Sequence, residues 1–330
     1  MTNVRHFVTH SDHRYLPKAL ALHLSLRRHH SSFILWLVCT TPEAEDRVRG
    51  IADDTLRAVP LRDVEAAFPQ LLEAKKNRSL VEYYYTLSPA VSRYVLEKPE
   101  CREMVTYLDA DMLFFSSPER VFAQLGEASI GITPHKFSFF VRHARKGGEY
   151  NVGWVTFRKD VQGIACLRWW FDRCIEWCYQ RYENGKYADQ GYLNWFPTMF
   201  SQVRILDDPG VNLAPWNLAI YKIGEGSEGV LVNGKPLVFF HYADLVQISD
   251  WHYSVNTSSA FVWLTPKLRR LLFHPYINIL RQISPQGLPR GLRGRRIRDL
   301  FSPSAPKQFA RLIRKVIFME YVFVFKNPVT

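Results

Sequence analysis

Val105-Thr106-Tyr107-Leu108-Asp109-Ala110-Asp111-Met112-Leu113-Phe114-Phe115 is an apolar run that rises to two aspartates one residue apart and then turns apolar again. In an extended segment successive side chains point to opposite faces, so this spacing predicts Asp109 and Asp111 on one face with Ala110 packed beneath. Two carboxylates that close repel each other, and leaving them bare at the end of a buried strand is costly. A hard divalent cation removes that cost, and the oxygens of a phosphate-bearing substrate can complete its shell. A turn in which each aspartate caps backbone amides explains the same three residues. The setting has to decide.

Upstream, residues 4–9 read as a first strand, and Pro17 starts a helix whose apolar residues recur at helical spacing over 19–30. Residues 33–38 are a continuous apolar run of strand length, as expected for a sheet covered on both faces. Thr41-Pro42 opens a second helix, 56–59 is a third strand, 71–96 is helical with a break near Pro89, and a fourth strand ends at Asp109. This alternation predicts an α/β fold with a parallel, doubly wound sheet, whose ligands gather at the carboxyl ends of its strands. Downstream, Ser116-Ser117-Pro118-Glu119 opens a short helix and 130–133 is a strand. Residues 135–148 are polar and basic, a loop over the site. Strands follow at 150–157 and 203–206, with an aromatic-rich helix at 164–181, and a last strand at 236–240 ends on His241.

The chain has 330 residues, of which 47% are hydrophobic, well away from disorder. No stretch approaches the roughly 20 apolar residues needed to span a bilayer. The start already reads as a short strand, so no secretory signal is expected. Five cysteines without a Cys-x-x-Cys pair argue against structural zinc and suit a reducing cytoplasm. Charge is unevenly placed. From residue 267 onward there are fourteen Lys/Arg and only two acids, Asp299 and Glu320, so that region carries the entire net +12. A neutral body with a basic end suggests a docking device rather than a nucleic-acid-binding domain. The composition shift divides the chain into a body, 1–265, and a basic, aromatic extension, 266–330.

The order of motifs resembles the GT-A fold glycosyltransferases, in particular the retaining, glycogenin-like group known as glycosyltransferase family 8. The resemblance covers roughly 4–255. It rests on Phe7-Val8-Thr9 with Tyr15 and the following helix, Tyr107-Leu108-Asp109-Ala110-Asp111, Asn151 with Gly153, Asp189-Gln190-Gly191 through Asn194, and His241. It implies a mostly parallel, Rossmann-like sheet flanked by helices and transfer of a sugar from a UDP-sugar to a glycan or lipid-linked saccharide. Asp109, Asp111 and His241 would hold Mn²⁺ or Mg²⁺ with the donor diphosphate. Thr9, Ser11, Tyr15, Arg93, Ala110 and Asn151 would contact the nucleotide sugar. Asp189 would position sugar hydroxyls, and Gln190 would lie under the anomeric carbon during transfer with retention. Two departures stand out. The family commonly has Asn-Ser-Gly where this chain has Asn151-Val152-Gly153. It also tends to carry a lysine after the late histidine, where this chain reads His241-Tyr242-Ala243-Asp244-Leu245-Val246-Gln247.

Each residue has a plainer reading. His241 could be a core histidine satisfied by one hydrogen bond, Asp189 a helix cap, and Arg93 a solvated helix charge. Trp169, Trp170, Phe171 and Trp177 read as core packing, and Asn212, Trp216 and Asn217 as turn residues or acceptor-side contacts. Arg290, Arg293, Arg295, Arg296, Arg298, Arg311, Arg314 and Lys315, beside Ile313, Val316, Ile317, Phe318 and Tyr321, suggest an interfacial helix on the anionic cytoplasmic face of a membrane. Two other classes remain open. A haloacid-dehalogenase-type phosphatase would use Asp109 as nucleophile, with Asp207-Asp208 as a second acidic pair. A non-catalytic, basic-tailed lipid or RNA binder would need neither metal nor donor.

Overall fold

The computed structural model describes residues 4–289, 310 and 313–324. Arg290, Arg293, Arg295, Arg296, Arg298 and Arg311 lie outside them. Strand β1 (Arg5–Ser11) leads through helix α1 (Leu16–His29) to β2 (Phe33–Cys39). Helix α2 (Pro42–Arg49), β3 (Leu56–Pro60), α3 (Leu61–Ala67), α4 (Gln70–Lys76) and α5 (Leu80–Leu96) then precede β4 (Met104–Leu108). Pro89 sits inside α5 without ending it. The break falls earlier, because Ser79 and Glu82 form a reciprocal capping box that satisfies the first amides of α5. Leu87, Ala90 and Val91 are buried around the proline, and that packing offsets its missing amide donor.

β4 stops at Leu108, one residue short of the expected end, and β5 (Met112–Phe114) follows. Asp109 to Asp111 therefore occupy a turn between two strands rather than an extended run. Beyond it come α6 (Glu119–Leu125), β6 (Ile130–Pro134), β7 (Tyr150–Arg158), α7 (Val161–Glu176), α8 (Phe196–Met199) and β8 (Val203–Ile205). Helix α7 starts three residues earlier than its hydrophobic pattern suggests, because the Asp160 carboxylate accepts from the Gly163 amide. It ends five residues earlier, where Trp177 turns extended.

The main sheet has the order β3-β2-β1-β4-β7-β6-β8. Its first four strands are parallel, while β7 runs antiparallel to both β4 and β6. The sheet is mostly parallel, as expected, but this one reversal shapes the site. A reversed strand brings its amino end to the edge where its parallel neighbours finish. Leu108 pairs with Trp154, so Asn151 lies beyond the end of β4, level with the aspartate turn.

One face of the sheet packs under α5 and α7, with Trp170, Phe171 and Leu87 buried. The other packs under α1, α2 and α6. There Trp154 stacks on Phe239 with ring centroids 5.5 Å apart. Of the four aromatic residues read as core, Trp170 and Phe171 are fully buried, Trp177 nearly so, and Trp169 packs against them half-buried.

A smaller third layer is built from β9 (Ile223–Gly226), β10 (Gly229–Val232), β11 (Lys235–Pro236), β12 (Phe239–His241), β13 (Val246–Ser249) and β14 (His252–Ser254). The single strand expected at 236–240 is thus two short ones, and β12 pairs with β5. Composition changes at Pro266, but the core does not. Helix α9 (Pro266–Leu268) runs through a wider turn into α10 (His274–Ile283), and Leu271, Leu272, Phe273, Tyr276 and Ile277 are buried with Phe240 and Tyr242. The chain then returns as β15 (Tyr321–Phe323), antiparallel to β14. Glu320, fully buried, pairs with Lys315 at 2.7 Å and accepts hydrogen bonds from Ser254 and Ser258. No described helix is long and apolar enough to cross a membrane.

Candidate active site

Three strands deliver the site. The turn after β4 presents Asp109 and Asp111. β12, in register with β5, sets His241 opposite Met112, and the Tyr242 amide donates to the Asp111 carbonyl at 2.8 Å. The amino end of β7 supplies Asn151. Ligand atoms of Asp109, Asp111 and His241 all lie within 4.8 Å of one another. His241 Nε2 stands 3.0 Å from Asp111 Oδ1 and 3.6 Å from Asp109 Oδ2.

The other ring nitrogen, Nδ1, faces Asn151 Oδ1 at 3.3 Å. Asn151 Oδ1 also accepts from the Gly153 amide at 3.0 Å, and its amide nitrogen faces His135 Nε2 at 3.3 Å. An Nδ1–H donated to Asn151 leaves Nε2 aimed at the carboxylates, the tautomer a metal ligand needs. The donor set, two carboxylates and one imidazole, suits a divalent cation, and the hard oxygens suit Mn²⁺ or Mg²⁺.

Tyr15, at the start of α1, donates its hydroxyl to Asp111 Oδ2 at 2.6 Å. Lys18 donates to that same hydroxyl at 3.1 Å and stands 3.7 Å from Asp111 Oδ2. A continuous polar chain thus runs from Lys18 through Tyr15, Asp111, His241 and Asn151 to His135. Although burial pushes Asp111 up, His241, Lys18 and Tyr15 hold it well below the ordinary carboxylate range. Asp109 keeps 29% of its side chain exposed, and desolvation with the Asp111 charge raises it against the pull of His241. His241 is lowered by burial but raised overall by the two aspartates. Burial lowers His135 to about 3.

Tyr15, Asp109, Asp111 and His241 line a cleft of about 480 Å³ at the carboxyl end of the parallel strands. Ser11, Tyr15, Ala110, Asp189 and Gln190 line it, as expected of them. Gln190 donates its amide to the Gly147 carbonyl at 3.0 Å, which ties it to the loop over the site. The Asp189 carboxyl is buried, and that desolvation pushes it up to about 7 against a hydrogen bond from Ser88.

Three expected residues do not line the cleft: Asn151 stands behind His241, bonded to its ring, and Thr9 and Arg93 are elsewhere. Thr9 is fully buried within β1, which runs two residues longer than the pattern suggested, so the cleft begins at His10. Arg93 does not line the cleft. It bonds Glu97 at 2.8 Å and lies over the rings of Phe68 and Phe171, on the far part of α5. Tyr15 lines the cleft, and its hydroxyl holds Asp111. Asn212 and Asn217 are turn residues. Asn217 accepts from the Ala214 amide and donates to the Asn212 and His135 carbonyls, while Trp216 packs edge-on to His241. Asp207 and Asp208 are outside the cleft, bonded to Gln124 and Lys235, so no second acidic pair meets Asp109.

Sequence reasoning missed His10, Tyr84, Tyr85, Ser88 and Tyr107, which line the cleft, and the cations Arg14 and Lys18. Tyr84 and Tyr85 follow the capping box of α5 and read as ordinary helix aromatics. Lys18 sits among apolar helix residues with nothing in sequence to mark it.

No family model matches the chain. It is 28% identical over 286 residues to the uncharacterized protein YfnD of Bacillus subtilis (strain 168), covering 84% of this chain and 89% of YfnD. It is 29% identical over 260 residues to the uncharacterized protein YfnF of the same strain, covering 75% and 85%. Among solved structures it is similar to the galactosyltransferase LgtC in complex with donor and acceptor sugar analogs. The TM-score is 0.53 at 14% sequence identity, over 86% of this chain and 98% of that one. An active-site mutant of LgtC gives 0.50 at the same identity and coverage. The architecture, a mostly parallel sheet flanked by helices, is the GT-A fold.

Proposed function

We propose that this chain is a metal-dependent glycosyltransferase that moves a sugar from a UDP-sugar to a glycan or lipid-linked saccharide with retention of anomeric configuration. The observation that carries the reading is one cleft in which Asp109, Asp111 and His241 converge beside Asp189 and Gln190. A bound Mn²⁺ or Mg²⁺ would supply Lewis acidity to the departing diphosphate. Asp109, Asp111 and His241 hold that ion, and Tyr15 and Asn151 orient two of the three. Asp189 and Gln190 flank the transferred sugar. Asp189, poised near neutrality by burial, exchanges hydrogen bonds with its hydroxyls. The Gln190 amide nitrogen is engaged by Gly147, so its carbonyl oxygen is the end left for the anomeric carbon. The rim of Tyr84, Tyr85 and Tyr107 offers aromatic surface to a base.

The test is a panel of UDP-sugars incubated with Mn²⁺, with slow hydrolysis as readout. One donor should release UDP, excess chelator should stop it, and Asp109→Asn or Asp111→Asn should each lower it at least about a hundredfold. Release that survives chelator and both variants would refute the reading. With an acceptor in hand, proton NMR of the product decides the stereochemistry, and inversion would refute the roles given to Asp189 and Gln190.

The same proposal places the enzyme peripherally on the cytoplasmic face of an anionic membrane. Support comes from exposed Phe139, Phe140, Ile313, Val316 and Ile317 beside Arg142 and Arg314. Ring contacts from Phe140 to Phe261 and on to Phe318 link the loop to the returning chain. Liposome flotation tests it, with residues 290–309 replaced by a neutral linker. A cut at Pro266 would remove core residues. Binding should need anionic lipid and weaken with salt; equal binding to neutral vesicles, or tighter binding to RNA, would refute it.

A further inference from the structure

Lys18 is an ammonium group placed where a binding site for a cation is being built. Helix α1 carries it three residues past Tyr15, its side chain is 2% exposed, and its Nζ lies 4.4 Å from the centre of the Tyr15 ring. Its nearest charge is Asp111, at 3.7 Å. Asp244 adds to the negative field around it. A buried lysine serving only to fill space would be better replaced by methionine, because desolvating an ammonium is costly. Its position therefore calls for a use of the charge.

Two carboxylates, Asp109 and Asp111, match the charge of one divalent ion. Lys18 adds a further positive charge that cannot diffuse away, because it is fixed to the helix; burial works against the charged form, and Asp111 at 3.7 Å supports it. A divalent ion entering alone would then bring one positive charge more than the two aspartates balance, with only the exposed Asp244 to offset it from outside. An anion arriving with the ion removes the excess. We propose that Lys18 couples the two ligands of the cleft: it weakens binding of a divalent cation alone and favours the cation together with a diphosphate group. This rests on the metal site assigned above. By linkage the coupling is reciprocal, so the cation must strengthen diphosphate binding by the same factor. Lys18 is thus a charge-setting residue rather than one that touches the reacting atoms.

The experiment measures Mn²⁺ binding to the full chain by electron paramagnetic resonance of free Mn²⁺, with and without saturating UDP. In the wild type, UDP should tighten Mn²⁺ binding at least about tenfold. Lys18→Met should bind Mn²⁺ alone at least about tenfold more tightly and should lose most of the gain from UDP. Lys18→Arg, if it retains the native near-ultraviolet dichroism, should keep the wild-type coupling. Equal Mn²⁺ affinity in wild type and Lys18→Met would overturn the inference while leaving the metal site standing. Absence of any UDP effect in the wild type would also overturn it, and that arm needs no variant. If wild type and Asp109→Asn bind Mn²⁺ equally weakly, the metal site itself fails, and the inference falls with it.

Discussion

Gly153→Ala is a one-carbon change two residues from Asn151, and the structure gives its consequence. A Cβ at that position would come 2.5 Å from Asn151 Oδ1 and 2.9 Å from His241 Nδ1, inside any tolerable contact. Neither neighbour is the free end of a flexible chain. Asn151 Oδ1 is held by the Gly153 amide and its nitrogen by His135, while His241 is fixed at Asp111 and wedged by Trp216. The likeliest relief, rotation of Asn151, forfeits its bond to Gly153, about 1 kcal/mol, and overpacking adds about 1–3 kcal/mol. The expected destabilisation is therefore about 2–4 kcal/mol, or roughly 3–6 °C in Tm for a chain of this size. Freed from Asn151, His241 loses its fixed tautomer and direction, which should weaken Mn²⁺ binding about 10–100-fold. Scanning calorimetry and Mn²⁺ titration read the two effects separately. Asn151→Ala in the same chain removes the tighter of the two clashes and leaves that with His241, so the double variant should recover part of the Tm without recovering metal affinity. A Gly153→Ala protein that melts within about 1 °C of wild type and binds Mn²⁺ within about twofold would refute this account of the site's packing.

Three further outcomes are expected. Asp189 has its pKa pushed up to about 7 by burial from an ordinary 3.8, so between those values the folded chain holds more protons than the unfolded one. Stability of the metal-free protein should fall as pH rises from about 4 to about 7, and Asp189→Asn should raise the stability at pH 8 by at most about 4 kcal/mol while flattening that slope; an unchanged pH profile would refute it. Glu320→Gln leaves Lys315 without its carboxylate and should cost about 2 kcal/mol, seen as loss of amide-exchange protection across β14 and β15 before the main sheet. Gln190→Ala should slow transfer about 10–100-fold without changing Mn²⁺ affinity, because Gln190 bonds the loop at Gly147 and, on the proposed reading, would meet the sugar rather than the ion.

The aspartate turn was legible because it is the only charged interruption in a long apolar run, and an uncompensated pair there has few explanations. His241 was legible as a strand end. What brings the two together, antiparallel pairing of β12 with β5 across more than a hundred residues, leaves no local mark. The reversal of β7 is equally silent, since an apolar run has the same pattern in either direction. Arg93 shows the opposite failure. A helix charge has a definite direction only once the helix is docked, and the faces of Phe68 and Phe171 hold this one away from the cleft. Lys18 shares that ambiguity and resolves the other way, inward. The hydroxyl bond from Tyr15 to Asp111 could not be read ahead, because nothing in the sequence tells whether a tyrosine works through its ring or its hydroxyl.

The clasp at Glu320 bears on how the protein would survive a cut. Residues 313–324 carry a buried ion pair of their own, Lys315 with Glu320, and are held by two serine hydroxyls and a strand pairing made to segments before residue 260. Severing the backbone anywhere in 290–309 would therefore yield two fragments that stay together as one particle. They should co-elute on a sizing column and separate only in denaturant, so the last stretch of the chain behaves as a bound peptide that happens to be covalently attached.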